Sequence, residues 1–271
     1  MSAPLAGPGS GRPAPGTRAE RRAPPLPGVG SAWLVAMFEL RRAAARRRLF
    51  AINTAIPLLL IGPIALGAAP PQHAATVYAV LFALFATFGA AIPVLRDAER
   101  GWVARVGRTG LGARGHLIGR ALAGAALDAL QLTPSVLLIA GAAGAWPRLP
   151  ALWLVTTAAL VFGNLLGTWV AAVARSVAEG ALFAAVSCLL LLHASGVFRT
   201  PAAGSIGDAI ETVAPFRPLH EALAAVASGA AHLAGTSLLA ASLAVVSAAI
   251  LLTAILAPRL VAALARAGRS G

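Results

Sequence analysis

Lysine is absent from this sequence of 271 residues, cysteine occurs once, and charged residues are scarce. Without lysine the chain cannot form the phosphate loop G-x-x-x-x-G-K-[ST], so any nucleotide hydrolysis must come from another chain. The single cysteine, Cys188, excludes an internal disulfide and a cysteine-based zinc site, and no metal site is expected. Charged residues make up 11% of the chain, whereas a soluble domain is usually about a quarter charged. The sequence therefore has too few charges to cover a water-facing surface.

Long apolar runs dominate what is present. Hydrophobic residues make up 58% of the chain, and the mean hydropathy is +0.80. Each run is near the roughly 20 residues that a helix needs to cross about 30 Å of hydrocarbon, and none has the alternation of barrel strands. The sequence therefore predicts an all-α membrane protein with six transmembrane helices. These spans are expected at about 49–69, 74–95, 116–145, 150–174, 181–198 and 233–257.

The arginines predict an orientation. All 22 basic residues are arginine, and 19 of them lie in the N-terminal region, the gap at 96–120, the short gap at Arg175 and the C-terminus. The opposite gaps hold only Arg148, Arg199 and Arg217. The positive-inside rule then predicts that both termini lie in the cytoplasm. The expected location is a bacterial cell (inner) membrane. Since the arginines flank spans with little aromatic interleaving, their expected partners are anionic membrane lipids and not nucleic acid.

The two ends of the chain differ from the membrane region. Residues 1–30 are rich in proline, glycine, alanine and arginine and predict a disordered cytoplasmic tail. Residues 31–48 combine an apolar face with dense arginine, which predicts an amphipathic helix at the cytoplasmic interface. That helix is either a simple anchor or a functional contact. The membrane domain is expected to cover residues 31–260, and residues 261–271 form a second cytoplasmic tail.

The most distinctive polar segment is the gap at 96–120. It mixes charged residues with apolar ones, and its apolar members are Trp102, Val103 and Val106. This composition favours a short amphipathic helix at the cytoplasmic surface, whose apolar knob docks into the groove of a soluble partner. The alternative is a solvated loop whose arginines only enforce topology.

Two motifs carry a family resemblance. After the second span, Glu99-Arg100-Gly101 resembles a Glu-Arg-x-x-Gly-type stretch, followed by the apolar and basic run from Trp102 to Val106. Near the end of the chain, HASGVFRTP and APFRPLHEAL resemble Ser-Gly-Val-Phe-x-x-Pro and Asn-Pro-Leu-x-x-x-x-Glu-Ala. The residues that carry this second, outer-segment motif are Gly196, Phe198, Pro215, Pro218 and Glu221. Over roughly residues 31–260 the chain thus resembles the transmembrane permeases of type II ABC exporters.

The resemblance implies a fold and a role. It implies a cytoplasmic coupling helix after the second span and short outer-leaflet helices before the last one. It implies a permease without an ATPase site or a cofactor of its own, working as a homodimer or heterodimer with two copies of a separate ATPase that binds ATP and Mg. The cargo implied is a hydrophobic small molecule such as a drug or antibiotic, or alternatively a lipid-linked glycan or lipid. The residues expected to contact the ATPase are Glu99, Arg100, Gly101, Trp102 and Arg105.

Three polar residues inside the spans are candidates for a translocation path. Asp128 and Gln131 lie in the third span and Asn164 lies in the fourth at comparable depth. An ionised carboxylate in mid-membrane costs about 2.5–3.5 kcal/mol on insertion scales, so it normally faces a bundle interior or water. The three residues either line the path or form an interhelical polar clasp.

Two other classes of protein are open from the sequence. The run His193-Ala194-Ser195-Gly196 partly resembles the Gly-x-Ser-Gly motif of rhomboid-like intramembrane serine hydrolases. Residues i and i+2 of a helix point apart, however, so His193 is poorly placed as a base for Ser195. A passive channel or an assembly factor is the third class, although the sequence shows no ring of charges and no carbonyl filter.

Overall fold

The computed structural model describes residues 28–67, 69–106, 111–199, 201–214, 216–229 and 235–267. The described residues are mostly helical and contain no strand, which confirms the all-α prediction. A short 3₁₀ turn (Trp146–Arg148) leads directly into α6. The helices are α1 (Gly28–Ala44), α2 (Arg47–Leu66), α3 (Pro71–Glu99), α4 (Trp102–Val106), α5 (Ala113–Ala142), α6 (Leu149–Val173), α7 (Val177–Ala194), α8 (Ile206–Val213), α9 (Arg217–Ala227) and α10 (Gly235–Ala267).

Six helices of the described chain are long and apolar enough to cross a membrane, which confirms the predicted number of spans. They are α2, α3, α5, α6 together with its preceding 3₁₀ turn, α7 and α10. Helix α5 has 30 residues, which is about 45 Å at 1.5 Å per residue. It therefore extends beyond the hydrocarbon of an ordinary bilayer, which is about 30 Å thick.

Helix ends differ from the sequence predictions where capping decides them. Helix α7 begins at Val177, four residues before the expected position 181, because the Ser176 hydroxyl accepts a hydrogen bond from the Glu179 amide at 3.2 Å. Helix α5 ends at Ala142, before the expected position 145. Gly144 follows with a φ of +61°, a left-handed conformation that ends helices and favours glycine.

The two terminal segments are more helical than predicted. Helix α1 begins at Gly28, inside the segment expected to be disordered, and residues 1–27 lie outside the described residues. Helix α10 continues past the expected end of the last span at 257, through Pro258 and Arg259, to Ala267. Leu264 is buried against the bundle, so packing holds this extension in place.

Helices α3 and α6 form the centre of the bundle, and two glycines set their separation. A Cβ atom added at Gly163 would lie 2.7 Å from the Ala86 Cβ, and one added at Gly167 would meet the Thr87 carbonyl oxygen. The Gly-x-x-x-Gly pattern therefore acts here as a close-approach surface. Helix α5 packs on α6 and α2 on α5, α7 lies against α3, and α10 covers α5 and α6.

Because the bundle centre has no room for a side chain at Gly167, we expect Gly167→Ala to lower the melting temperature of the detergent-solubilised protein. Forcing extra atoms into a packed interface typically costs about 1–3 kcal/mol. Gly30→Ala in α1 is the matched control, since no atom lies within 4 Å of an added Cβ there. Equal melting temperatures for both variants and the wild type would contradict the close packing.

Helix α1 is packed into the bundle along one face. A Cβ at Gly119 of α5 would collide with the backbone of Ala32, and Val35 and Ala36 are buried. Trp33 and Phe38, which flank this face on its two sides, are exposed. The helix predicted at the membrane interface is thus fixed against the first half of α5, at the end of the bundle where α3 finishes.

Candidate functional site

A cavity of about 530 Å³ lies among α1, α2, α3, α5 and α6. The three polar residues predicted from the sequence to line a path, Asp128, Gln131 and Asn164, all belong to its wall. At its other end the wall contains the charged residues Glu39, Arg42, Arg46, Arg96, Asp97, Arg100 and Arg120. The cavity therefore connects the middle of the bundle to the junction of α3 with α4.

Asp128 and Asn164 form a direct contact between α5 and α6. The Asn164 amide donates hydrogen bonds to the Asp128 carboxylate at 2.7 Å and to the Leu160 carbonyl at 2.9 Å. Two glycines make room for the pair, because Gly124 faces the Asn164 amide and Gly89 faces the carboxylate. Both side chains are buried, so the pair is an internal polar contact that also borders the cavity.

At the opposite end of the cavity, four charged residues join three helices. In this ion cluster, defined as Glu39, Arg42, Asp97 and Arg120, the buried Asp97 carboxylate is the centre. Arg120 of α5 donates to it at 2.6 Å, and Arg42 of α1 reaches both carboxylate oxygens at 3.4 Å. Glu39 lies 3.8 Å from Arg42 and 3.9 Å from Arg120. The hydrogen bond to Asp97 raises the pKa of Arg42.

The sequence placed Asp97 in a surface segment, but the structure puts it in the last turn of α3. A carboxylate near a helix C-terminus is disfavoured by the helix dipole, so the two arginines supply the compensating charge. A signal for its burial was present in the spacing. Asp97 is three and seven residues after Val94 and Ala90, which are both buried on one face of α3.

Glu99, the last residue of α3, joins that helix to α7. Its Oε1 accepts a hydrogen bond from the Val177 amide at 3.2 Å. Arg100 follows and is exposed. Gly101 has a φ of +67° and turns the chain so that α4 begins at once.

The apolar side of α4 faces the bundle, which corrects the expectation of a free apolar knob. The Trp102 ring stacks on Phe38 of α1 with centroids 6.4 Å apart, and the Arg105 guanidinium lies 5.8 Å from the Trp102 centroid. Val103 and Val106 are buried. Val103 joins an apolar cluster with residues of α3, α5 and α10, because these helices offer apolar surface that water would otherwise contact. What α4 and its flanks expose is mostly charge.

The chain matches a known protein family. Residues 32–229, well over half of the chain, match the family described as ABC-2 type transporter. The chain belongs to the ABC-2 type transporter family. It is therefore a multi-pass membrane protein and the permease component of an ABC transporter, and membership implies a partner ATPase. No curated protein matches the sequence.

In this ABC-2 type transporter, Gly196 and Glu221 of the outer-segment motif belong to a small polar cluster with Glu211, Thr212 and Arg217 at the other end of the bundle. Arg217 donates to Glu221 at 2.7 Å and to the Thr212 hydroxyl at 3.2 Å, and it lies 3.9 Å from Glu211. The hydrogen bond that Arg217 donates to Glu221 raises the pKa of Arg217. Gly196 has a φ of +71°, and the Glu211 carboxylate fills the space beside it.

The remaining motif residues of the ABC-2 type transporter are Phe198, Pro215 and Pro218. Pro218 is buried at the start of α9, and Phe198 is about half exposed. Pro215 lies outside the described residues.

The geometry around Ser195 does not resemble a hydrolase site. Its hydroxyl donates to the Leu191 carbonyl at 2.8 Å, and His193 is exposed. His220 instead lies 3.5 Å from the Thr76 hydroxyl. Within the described chain no histidine is hydrogen-bonded to Ser195, so the base that a serine nucleophile requires is not in place.

Proposed function

We propose that this permease is one of two, identical or different, in an ABC exporter of a bacterial inner membrane. Two copies of a separate ATPase bind ATP and Mg²⁺ and drive it, and both termini of the permease lie in the cytoplasm. The cargo is a hydrophobic small molecule such as a drug or antibiotic. The observation that carries this proposal is that the α3–α4 junction forms both an exposed charged surface and one end of the internal cavity.

The α3–α4 junction has an exposed surface for a partner and, beneath it, contacts to other helices of the bundle. Glu99, Arg100 and Arg105 are exposed at the surface where an ATPase would bind. Directly beneath them, Trp102 stacks on α1 and Val103 packs with α5 and α10. A push on α4 is therefore transmitted to helices that border the cavity, which is the rigid-body switching known from other allosteric proteins.

The cavity supports a small and mainly apolar cargo. Its volume of about 530 Å³ lies within the roughly 300–1,000 Å³ of pockets that hold drug-sized ligands. Phe85, Phe88 and Leu127 contribute apolar wall, and Asp128 and Asn164 contribute a polar group at the deep end. In this deep part of the cavity, a few polar groups beside apolar surface orient a ligand without requiring a highly polar one.

Export of a lipid or lipid-linked glycan is a second candidate. The observation that favours it is the position of the cavity beside α2, which packs chiefly on α5 and touches α3 only sparsely. Leu49 and Pro93, on the two sides of this gap, are exposed and line the cavity. The hydrocarbon chain of a lipid in the bilayer would reach the cavity from this side.

Transport in inverted membrane vesicles tests the proposal. We expect vesicles that contain the permease and its ATPase to accumulate a fluorescent hydrophobic dye when ATP and Mg²⁺ are added. Vesicles with the permease alone, or with an ATPase variant that binds but does not hydrolyse ATP, are the controls. Equal dye accumulation in the absence of the ATPase would contradict the proposal.

The variant Asp128→Asn tests whether Asp128 lines the translocation path or only forms a polar contact between α5 and α6. The new amide keeps an oxygen that accepts from Asn164, so we expect the melting temperature to change little. Because the variant replaces a carboxyl group by an amide at the deep end of the cavity, we expect the ranking of transported dyes to change. Ser135→Ala, about two turns further along α5 and outside the cavity wall, is the control. An unchanged ranking with a lowered melting temperature would favour the clasp.

A further inference from the structure

The shallow end of the cavity, next to the α3–α4 junction, has an excess of positive charge. Five arginines and two carboxylates line this end. They are Arg42, Arg46, Arg96, Arg100 and Arg120, with Glu39 and Asp97. A cavity wall with three more positive than negative charges attracts anions, and the low-dielectric protein around it strengthens that attraction.

The excess positive charge comes from arginines that form no ion pair with a described carboxylate. Within the described residues, Arg46, Arg96 and Arg100 have no carboxylate within 4.0 Å. Arg120 is about nine-tenths buried and bonds Asp97 through Nη2, while its buried Nη1 donates no hydrogen bond to any described atom. A buried donor without a partner is costly, so an acceptor supplied by a ligand would stabilise this end of the cavity.

The wall beyond the arginines contains four large apolar side chains. Leu49 and Phe50 of α2 and Phe85 and Phe88 of α3 line the cavity next to the charged end. Asp128 lies eight residues after Arg120 on α5, or about 12 Å along the helix. Among the described residues, no cationic side chain lines the deep end around Asp128, so a ligand with one anionic group is oriented with that group at the arginines.

We propose that this cavity binds an amphiphile through an anionic head group, such as a phosphate or carboxylate, with the apolar part along the aromatic wall. The inference rests on the proposed function, since it names the chemical class of the cargo of the same cavity. Arginine suits this role because its planar guanidinium donates two parallel hydrogen bonds to phosphate or carboxylate. A neutral hydrophobic molecule would leave the arginine excess without a counterion.

Binding to the purified full-length permease, in nanodiscs of zwitterionic lipid and without nucleotide, tests the proposal. Dodecyl phosphate is the probe. Dodecanol is its counterpart without the anionic head group, and inorganic phosphate is its counterpart without the alkyl chain. We expect dodecyl phosphate to bind at least about tenfold more tightly than either, and the affinity to fall as salt is added. Equal binding of dodecanol, or of inorganic phosphate, would overturn the proposal.

Arginine variants locate the site. We expect the double variant Arg46→Gln, Arg96→Gln to bind dodecyl phosphate at least about tenfold more weakly, because two cationic donors are lost. Arg148→Gln, at the opposite end of the bundle, is the matched control and should bind as the wild type does. Unchanged affinity in the double variant would place the anion elsewhere and overturn the proposal.

Competition identifies the natural source of the anion. Displacement of dodecyl phosphate by phosphatidylglycerol in the nanodisc would support a phospholipid head group as ligand, and resistance to displacement would support a single-chain amphiphile. These measurements involve neither ATP nor the ATPase. Their failure would leave the transport proposal intact, and failed transport with intact binding would overturn only that proposal.

Discussion

Asp97→Ala should unfold or severely destabilise the permease. The variant leaves Arg42 and Arg120 facing each other without the carboxylate that both of them contact, and Arg120 is buried. Removing one partner of a buried ion pair typically costs about 3–5 kcal/mol. We expect the amount of monodisperse protein in a size-exclusion experiment to fall to a small fraction of the wild type, with a large drop in melting temperature for what remains.

Two further variants of the ion cluster serve as controls. Glu39→Gln should have a much smaller effect, because Glu39 is 3.8–3.9 Å from its arginines and makes no hydrogen bond to them. The double variant Asp97→Asn, Arg120→Gln should recover part of the stability that Asp97→Asn alone loses, since it removes both buried charges together. Equal stability of Asp97→Ala and wild type would show that the cluster does not hold α1, α3 and α5 together.

The combined variant Glu99→Gln, Trp102→Ala should abolish ATP-driven transport while the protein still inserts into the membrane. Glu99 links α3 to the start of α7, and Trp102 links α4 to α1. The variant removes the charge of Glu99 and the ring stacking between α4 and α1, although the new amide oxygen at position 99 still accepts from the Val177 amide. Because both residues lie near the surface of the bundle, we expect the change to cost little stability but to break the route from the ATPase to the cavity. Dye accumulation in vesicles measures the loss, and the ATPase rate of the same vesicles should persist without transport.

The opposite end of the bundle offers a matched pair. The variant Asp208→Asn, Trp146→Ala likewise exchanges an acidic residue for its amide and a tryptophan for alanine, far from the α3–α4 junction. Trp146 begins a helical turn, as Trp102 begins α4. It should transport at close to the wild-type rate. Wild-type transport by the Glu99→Gln, Trp102→Ala variant would remove the coupling role from these residues, whatever the control does.

Much of the fold was accessible from composition because a lipid environment allows few solutions. Backbone groups in hydrocarbon must bond within their own segment, so long apolar runs without alternation have to be helices. The number of spans followed directly from those runs. The ends of α5 and α7 did not, because Gly144 and Ser176 decide them through local capping that hydropathy does not register.

The sequence allowed some residues of the site to be predicted, but not the contacts between them. Asp128 and Asn164 were identified because polar groups in apolar runs are conspicuous, but their contact at 2.7 Å depends on the space left by Gly124. The ion cluster was missed because its members lie in three separate parts of the chain and each resembles an ordinary interfacial charge. Only tertiary packing brings Arg42 and Arg120 to Asp97.

Crosslinking at the α3–α4 junction tests the central claim, which is that the partner ATPase drives the permease through this surface. A photoreactive amino acid at position 100 should crosslink to the ATPase in membranes that contain both proteins, because Arg100 is exposed beside α4. The same amino acid at position 199, exposed at the opposite end of the bundle, should not. Crosslinking to the ATPase from position 199 and none from position 100 would contradict the account.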